Sequence, residues 1–292
     1  MKNVLITGAG SYVGEAVRHY LEKWPEVFRV SVIDTIGDAW KTADFSFADT
    51  VFHVAGMAHS DIGHADETVR AQYFSVNTDL AVAAAKKAKE EGVHQFIFMS
   101  SAIVYGDSAP VGKQKIITRD TPVSPANFYG ESKVRAENGL LPLEDNDFRV
   151  VVLRCPMIYG KGSKGNFPVL KKMADKLPLF PKIENRRSML YITNLAEFVR
   201  LMIVNDERGL FWPCNKEWSN TSELVKMIAE ARKKKCILIP GFGWAIKLMG
   251  HFSAYVNKAF GNLAYYEHLG DYKTDYRLYT LEQSIKEIED NG

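Results

Sequence analysis

The chain is short of three things, and each shortage excludes a class of function. Its three cysteines, Cys155, Cys214 and Cys236, are odd in number and far apart. That pattern fits neither a disulfide framework nor a zinc site, and it points to a reducing compartment. No run of 18 consecutive apolar residues occurs, so no membrane-spanning helix is expected. Charge of one sign is also lacking, because 37 Lys and Arg against 35 Asp and Glu leave a formal net charge of +2 at pH 7. Such a balance selects no nucleic-acid or other charge-chosen partner. The dense basic stretch Lys233-Lys234-Lys235 falls at an expected helix end, where cations satisfy the macrodipole. The first strand signal begins almost at Met1, so no signal or transit peptide is expected. The expectation is a cytoplasmic protein without a metal site, a nucleic-acid partner or a membrane partner.

What is there is enough apolar residue for a sizeable core: 46% of 292 residues are hydrophobic and 25% charged. Strand and helix signals alternate through the first half. Val4-Leu5-Ile6 precedes a helical stretch from about Tyr12 to Lys23, and strand signals recur at Arg29–Asp34 and Thr50–Val54. A long helical stretch runs from about Gln72 to Glu91, stopped by Gly92. Then come a strand at Gln95–Met99, a helix over Tyr129–Leu141 stopped by Pro142, and a strand at Arg149–Arg154. This alternation implies right-handed βαβ units and an α/β fold with a doubly wound parallel sheet of Rossmann type, over residues 1–155. From Pro156 the alternation weakens, and helices are expected at Asn194–Asn205, Thr221–Lys233, Trp244–Phe260 and Leu281–Ile288. Residues 156–292 are read as a smaller C-terminal substrate lobe, with about 189–214 packing back onto the first domain.

The turn Gly8-Ala9-Gly10-Ser11-Tyr12-Val13-Gly14 lies between a strand and a helix. Gly8 and Gly10 let the backbone turn sharply and a pyrophosphate come close, while Gly14 allows tight helix–strand packing. The spacing differs from Gly-x-Gly-x-x-Gly, and a glycine-rich connection without a ligand is the competing reading. Asp34 follows Gly14 by twenty residues, at the end of the second strand. An acid there accepts ribose hydroxyls and repels a 2′-phosphate, which favours NAD over NADP; the alternative is a turn cap.

Two further segments carry chemistry. The strand Phe96-Ile97-Phe98-Met99 runs into Ser100-Ser101-Ala102-Ile103-Val104-Tyr105-Gly106, and Tyr129-Gly130-Glu131-Ser132-Lys133 supplies Tyr-x-x-x-Lys. On a helix the phenol and the ammonium share a face. A nearby cation favours phenolate, so the tyrosine can take a proton from a sugar hydroxyl while a serine holds the same oxygen. By itself Tyr-x-x-x-Lys commonly reflects surface packing.

The order of Thr7–Gly14, Val51-Phe52-His53-Val54-Ala55-Gly56, Ser100–Gly106 and Tyr129–Lys133 resembles the extended short-chain dehydrogenases/reductases. The resemblance is strongest to the nucleotide-sugar epimerase/dehydratase group typified by UDP-glucose 4-epimerase. It implies Ser101 as the catalytic hydroxyl, Tyr129 as base and Lys133 as the group binding the nicotinamide ribose. It places Gly8, Gly10, Ser11, Tyr12, Val13 and Gly14 under the dinucleotide and Asp44-Phe45 beside adenine. Ala55-Gly56 would lie under the pyrophosphate and Asn77 at a structural or cofactor-loop position. Asn77 as a mere helix disturbance and Asp44 as a turn cap stand beside those roles. In the second lobe, Gly165-Asn166-Phe167 and the segment from Arg187 to Ile192 resemble parts that hold a nucleotide diphosphate, with Arg187 fitting better than Arg186. Arg154, in Arg-x-Pro with Pro156, is either structural or ligand-contacting. His53 and His59 read as packed or solvent-facing.

Departures from the family pattern narrow the activity. Ala102 and Ile103 stand where 4,6-dehydratases carry an acid pair, and neither side chain does acid–base chemistry, so dehydration is disfavoured. The stretch between Asp34 and Asp44 is too short for the usual adenine-side helix and strand. The aromatic-rich segment Trp244–Tyr266 reads as a helix packed on the core, which its periodic aromatics favour, with an interface or a lid as the alternatives. By resemblance the expected activity is NAD-dependent epimerisation at carbon 4 of a UDP-sugar by a homodimer, joined through about Asn77–Glu91 and Tyr129–Leu141. A 4-ketoreductase of a keto-deoxy nucleotide sugar is the rival, and a non-catalytic dinucleotide-binding protein the third reading.

Overall fold

The computed structural model describes residues 1–58 and 66–290, the side chains of residues 251, 254 and 255 excepted. His59 therefore lies outside the described residues. By internal contacts the chain divides into two units. The first comprises Met1–Gly106, Val123–Cys155 and Leu195–Pro213, and the second comprises Asp107–Pro122, Pro156–Asn194 and Cys214–Gly292. The segment Asp107–Pro122, expected in the dinucleotide domain, falls in the second unit.

In the first unit, β1 (Lys2–Thr7), β2 (Phe28–Ile33), β3 (Thr50–His53), β4 (Gln95–Ser101), β5 (Arg149–Cys155) and β6 (Gly209–Phe211) form one sheet. Its order is β2-β1-β3-β4-β5-β6, with every pairing parallel. The chain reverses direction of winding between β1 and β3, so the loops leaving these two strands meet at the switch point where such sheets take ligands. Only a three-residue helical turn at Ala39–Lys41 lies between β2 and β3, so no strand sits outside β2.

Side-chain alternation sorts the two faces. Leu5, Val51, Phe96, Phe98, Val150 and Val152 point toward α3 (Leu80–Glu90), whose Ala81, Ala84, Ala85 and Ala88 form a fully buried stripe. Methyl groups at i, i+3, i+4 and i+7 let that helix lie close on the sheet. The other face is covered by α1 (Tyr12–Leu21) and the helix Ile192–Val204, which are tied by Tyr20 Oη donating to Glu197 at 3.0 Å.

The expected helix Gln72–Glu91 is interrupted. A helix α2 (Glu67–Phe74), capped by Asp66, passes through a π-helical turn at Ser75–Asp79 before α3 begins. The extra residue in that turn rotates Asn77 inward, where it is fully buried. Next along the chain in this unit, α4 (Phe128–Leu140) carries the Tyr-x-x-x-Lys pair.

The second unit is built from short pieces. Two-stranded parallel pairs join Leu179–Pro181 to Ile237–Ile239 and Met157–Tyr159 to Met189–Tyr191. A helix at Asn166–Lys176, absent from the sequence reading because Pro168 and two lysines blur its period, lies beside Thr221–Ala231. The expected single helix Trp244–Phe260 is two, Gly243–Phe252 and Ala254–Phe260, broken where Ser253 is extended (φ −137°, ψ 113°). No helix among the described residues is long and apolar enough to cross a membrane.

Candidate active site

The turn after β1 has the shape a dinucleotide requires. Gly8 has φ +93°, and a methyl group there would stand 2.8 Å from the backbone N and Cα of Ala55, closer than real contacts allow. The two switch-point loops therefore touch backbone to backbone, which only glycine permits. Gly10 (φ +70°) has open space around it. Ser11 caps α1, its Oγ accepting the Gly14 N–H at 3.2 Å. A side chain on Gly14 would press on Val54 and Ile6. Val13 is half-buried beside them. The Tyr12 hydroxyl is buried with no hydrogen-bond partner among the described residues, and burial raises its pKa. An orphaned hydroxyl at the N-terminus of a ten-residue helix, beside a cradle that a Cβ would fill, fits a phosphate-bearing ligand.

The adenine-side positions divide. Asp34 is exposed at the end of β2, with one carboxylate oxygen accepting the Ile36 N–H at 3.0 Å. Asp44 accepts from both N–H (2.8 Å) and hydroxyl (2.6 Å) of Ser46, which lowers its pKa. It caps a turn. The Phe45 ring is wholly buried in the core beneath α3, so that ring is not presented to a ligand.

Two elements bring the proton-handling groups together. Ser101 is the last residue of β4, and α4 places Tyr129 and Lys133 on one face. Gly130 allows the approach, since a methyl there would lie 2.8 Å from the Ile103 carbonyl oxygen. Asn127 caps α4 through the Gly130 N–H at 3.0 Å. Burial pushes the Tyr129 phenol up to about 12, and the nearby Ser101 hydroxyl works against the rise. Lys133 is buried, donates to the Met99 carbonyl at 2.9 Å and stands 4.7 Å from the Phe98 ring centroid. Burial brings its ammonium down to about 8, with Glu137 and Cys155 opposing. It reaches the loop after β3, where a Cβ on Gly56 would be 3.4 Å from Nζ.

Asn77 ties that loop to α4. Its Oδ1 accepts the Met57 N–H at 2.7 Å, while Nδ2 donates to the Met57 carbonyl at 3.1 Å and to Ser132 Oγ at 3.0 Å. Thr78 donates to the Ser132 carbonyl at 2.7 Å. Of the two readings left open for Asn77, the geometry is that of the loop clamp.

Glu137 escaped the sequence reading, and it is the partner that makes Arg154 structural. Arg154 meets Glu137 at 2.6 Å and donates to Tyr105 Oη at 2.8 Å, while Ser100 Oγ donates to Glu137 at 2.5 Å. The signal was available, because Tyr129, Lys133 and Glu137 recur every four residues on α4. His53 is fully buried between Phe96 and Phe98, with Nδ1 at 2.8 Å from Thr7 Oγ1. Burial and the Lys133 charge bring its pKa down to about 3, so it packs as a neutral ring.

In the second unit, Asn166 is exposed at the first turn of its helix, after Gly165 (φ +85°). The Phe167 ring is buried, 5.2 Å from the Tyr159 ring, which leaves its backbone as the part a ligand could meet. Arg187 donates through Nη1 to the Lys258 and Ala259 carbonyls at the end of the helix Ala254–Phe260, and burial lowers its pKa. Arg186 lies over the Trp218 ring instead. No cluster of His, Cys, Asp or Glu fit for a metal ion occurs among the described residues.

Comparison with known proteins settles what this arrangement belongs to. The sequence pattern of the NAD dependent epimerase/dehydratase family matches residues 4–210. The chain belongs to that family. A UDP-glucose 4-epimerase from Vibrio cholerae is 30% identical over 275 residues, covering 85% of this chain and 81% of that protein. An N-acetyl-α-D-glucosaminyl-diphospho-undecaprenol 4-epimerase from Escherichia coli O157:H7 is 27% identical over 258 residues, covering 80% of this chain and 73% of that protein. Among solved structures, a UDP-glucuronic acid 4-epimerase from Bacillus cereus bound to NAD superposes with a TM-score of 0.73 at 16% identity, over 99% of this chain and 95% of that one. The Rossmann-type fold and the NAD-dependent class expected from the motifs are thus found. NAD is the cofactor of the family.

Proposed function

We propose that the chain interconverts a UDP-sugar and its carbon-4 epimer, with NAD as resident cofactor. The observation that carries this reading is the Tyr129 phenol near enough to the Ser101 hydroxyl for that group to oppose its pKa rise, with Lys133 one helical turn away reaching the Gly56 loop. The names of the two curated relatives above share a 4-epimerase acting on a glycosyl diphosphate, which supports both the position of attack and the class of substrate.

The division of labour follows from the side chains. Ser101 holds the C4 oxygen. Tyr129, as phenolate, takes the proton of the C4 hydroxyl and later returns it. Bound NAD would supply the acceptor and donor of the C4 hydride. Because burial alone keeps the phenol protonated, Tyr129 depends on positive charge nearby, and Lys133 carries one at neutral pH. Gly8, Gly10, Ser11, Tyr12, Val13 and Gly14 would hold the pyrophosphate together with Ala55 and Gly56, and Asp34 the adenosine ribose. Asn166, the Phe167 backbone and Arg187 are assigned to the substrate diphosphate. Ala102 and Ile103 add no acid or base, so the 4-keto sugar returns to a hydroxyl and water is not eliminated. The reading includes a cytoplasmic homodimer joined through α3 and α4.

The test is incubation of the purified protein with UDP-glucose, UDP-galactose and their N-acetyl counterparts, followed by NMR. The expected result is an epimer mixture with no net change in nicotinamide absorbance. Stoichiometric loss of reduced cofactor on a 4-keto nucleotide sugar, without epimerisation, identifies a ketoreductase instead.

A further inference from the structure

The segment running from α2 through the π-helical turn into α3 touches α4 at successive levels. Asn77 and Thr78 hold Ser132 by its hydroxyl, at 3.0 Å, and by its carbonyl, at 2.7 Å. One turn of helix earlier, the Tyr73 ring meets the start of α4. It is fully buried, with its centroid 4.9 Å from that of the Phe128 ring and 5.7 Å from that of the Tyr129 ring. Interplanar angles of 76° and 63° make both contacts T-shaped, a preferred arrangement of aromatic pairs.

The π-helical turn is what aims this ring. In an uninterrupted helix, Tyr73 would share a face with Ala81, Ala84 and Ala88 and point at the sheet. One extra residue in the turn rotates α2 by roughly 100° against α3, which carries Tyr73 from the sheet to α4. What the ring meets there is the less constrained end of the catalytic pair. Lys133 has its own restraint in the bond to the Met99 carbonyl at 2.9 Å. Gly130 against Ile103 and the Asn127 cap fix the backbone of α4, but the Tyr129 phenol oxygen lies two torsions further out. A displacement of about 1 Å at a reacting group costs roughly a hundredfold in rate.

We propose that Tyr73 is a positioning residue for Tyr129, its buried ring holding the phenol at the angle from which it reaches the C4 oxygen of the substrate. Tyr73 itself touches neither substrate nor cofactor in this account and acts only through the Tyr129 ring. The π-helical turn thereby serves the site twice. It turns Asn77 inward to clamp the Met57 loop, and it sets Tyr73 against the residue that handles the proton. The inference rests on the epimerase reading for what the phenol does, but not for where the phenol stands.

The experiment compares wild type with Tyr73→Phe, Tyr73→Leu and Tyr73→Met, each loaded with NAD. Phe keeps the ring, whereas Leu and Met fill the space without one, and the flexible Met spares the fold where Leu does not. Thermal melts and bound NAD give the folded, loaded fraction to which every rate is referred. With a UDP-sugar that wild type epimerises, Tyr73→Leu and Tyr73→Met are expected to lose kcat roughly tenfold or more, with KM held within about twofold, and Tyr73→Phe to restore it. Crystal structures of the loaded variants locate the phenol directly. The Tyr129 oxygen should keep its place in Tyr73→Phe and move by about 1 Å, or occupy two rotamers, in Tyr73→Met. An unmoved phenol in Tyr73→Met overturns the proposal, as does a loss of kcat in Tyr73→Phe as large as in Tyr73→Met. A wild type inactive on every UDP-sugar sinks the epimerase reading instead, and the crystal structures still decide whether Tyr73 places the phenol.

Discussion

Arg154 Nη2 meets Glu137 at 2.6 Å inside the protein, one helical turn beyond Lys133 on α4. The pair links β5 to the helix that carries the catalytic candidates, and Ser100 of β4 completes it. Removing one partner leaves a buried charge without compensation. Glu137→Gln and Arg154→Met are each expected to lower stability by roughly 3–5 kcal/mol in urea unfolding, with the double variant losing less than the sum.

Glu137 also acts on Lys133 through its charge. Burial depresses the ammonium to about 8, and Glu137 opposes that depression. In Glu137→Gln the Lys133 titration should move below its wild-type midpoint near 8. NMR of lysine labelled at the ε-carbon, in cofactor-free protein, reads the shift directly. A wild-type midpoint near that of free lysine would contradict the burial seen here.

His53 sets a pH dependence of stability. Its folded pKa of about 3 lies below the unfolded value near 6.5, so the unfolded chain binds a proton that the folded chain refuses. Its contribution is complete above about pH 6.5 and is lost progressively as pH falls toward 3. From pH 7 to pH 5 the loss should be about 2 kcal/mol. Lys133 adds no slope there, being charged in both states. His53→Gln should remove this component, and unfolding curves at the two pH values measure it.

Gly8 and Gly10 separate two costs. Both have positive φ, but only Gly8 meets another backbone within van der Waals distance. Gly10→Ala should cost about 1 kcal/mol of stability. Gly8→Ala should cost more and weaken NAD binding at least tenfold, because Ala55 must move. Calorimetric titration with NAD distinguishes them; equal effects would deny the close approach any role.

Much of this fold was legible because its signals are local. Five of the six sheet strands and the glycine turn each declare themselves within a few residues, whereas the short edge strand Gly209–Phe211 does not. The π-helical turn at Ser75–Asp79 was not legible, since it depends on Asn77 finding Met57 and Ser132, far away in sequence. The helix Asn166–Lys176 and the break at Ser253 likewise depend on tertiary packing rather than on period. At the site, Ser101, Tyr129 and Lys133 came from their motifs. Glu137, Gly130 and the Arg154 pairing needed the strands and α4 to be set side by side. At Asp44 and Phe45 the structure adds a turn cap and a core ring to the motif position, and neither excludes the adenine-side role.

The central claim is that Tyr129 handles the proton of a C4 hydroxyl while the C4 hydrogen itself never leaves the site. The most direct measurement supplies UDP-sugar deuterated at carbon 4 and follows the label in the epimer formed by wild type and Tyr129→Phe. The account predicts that the label stays on carbon 4 without exchange into water. It also predicts that Tyr129→Phe slows the conversion by roughly 10²–10⁴-fold with NAD binding retained. Full-rate conversion by Tyr129→Phe, or loss of the label to solvent, would contradict it.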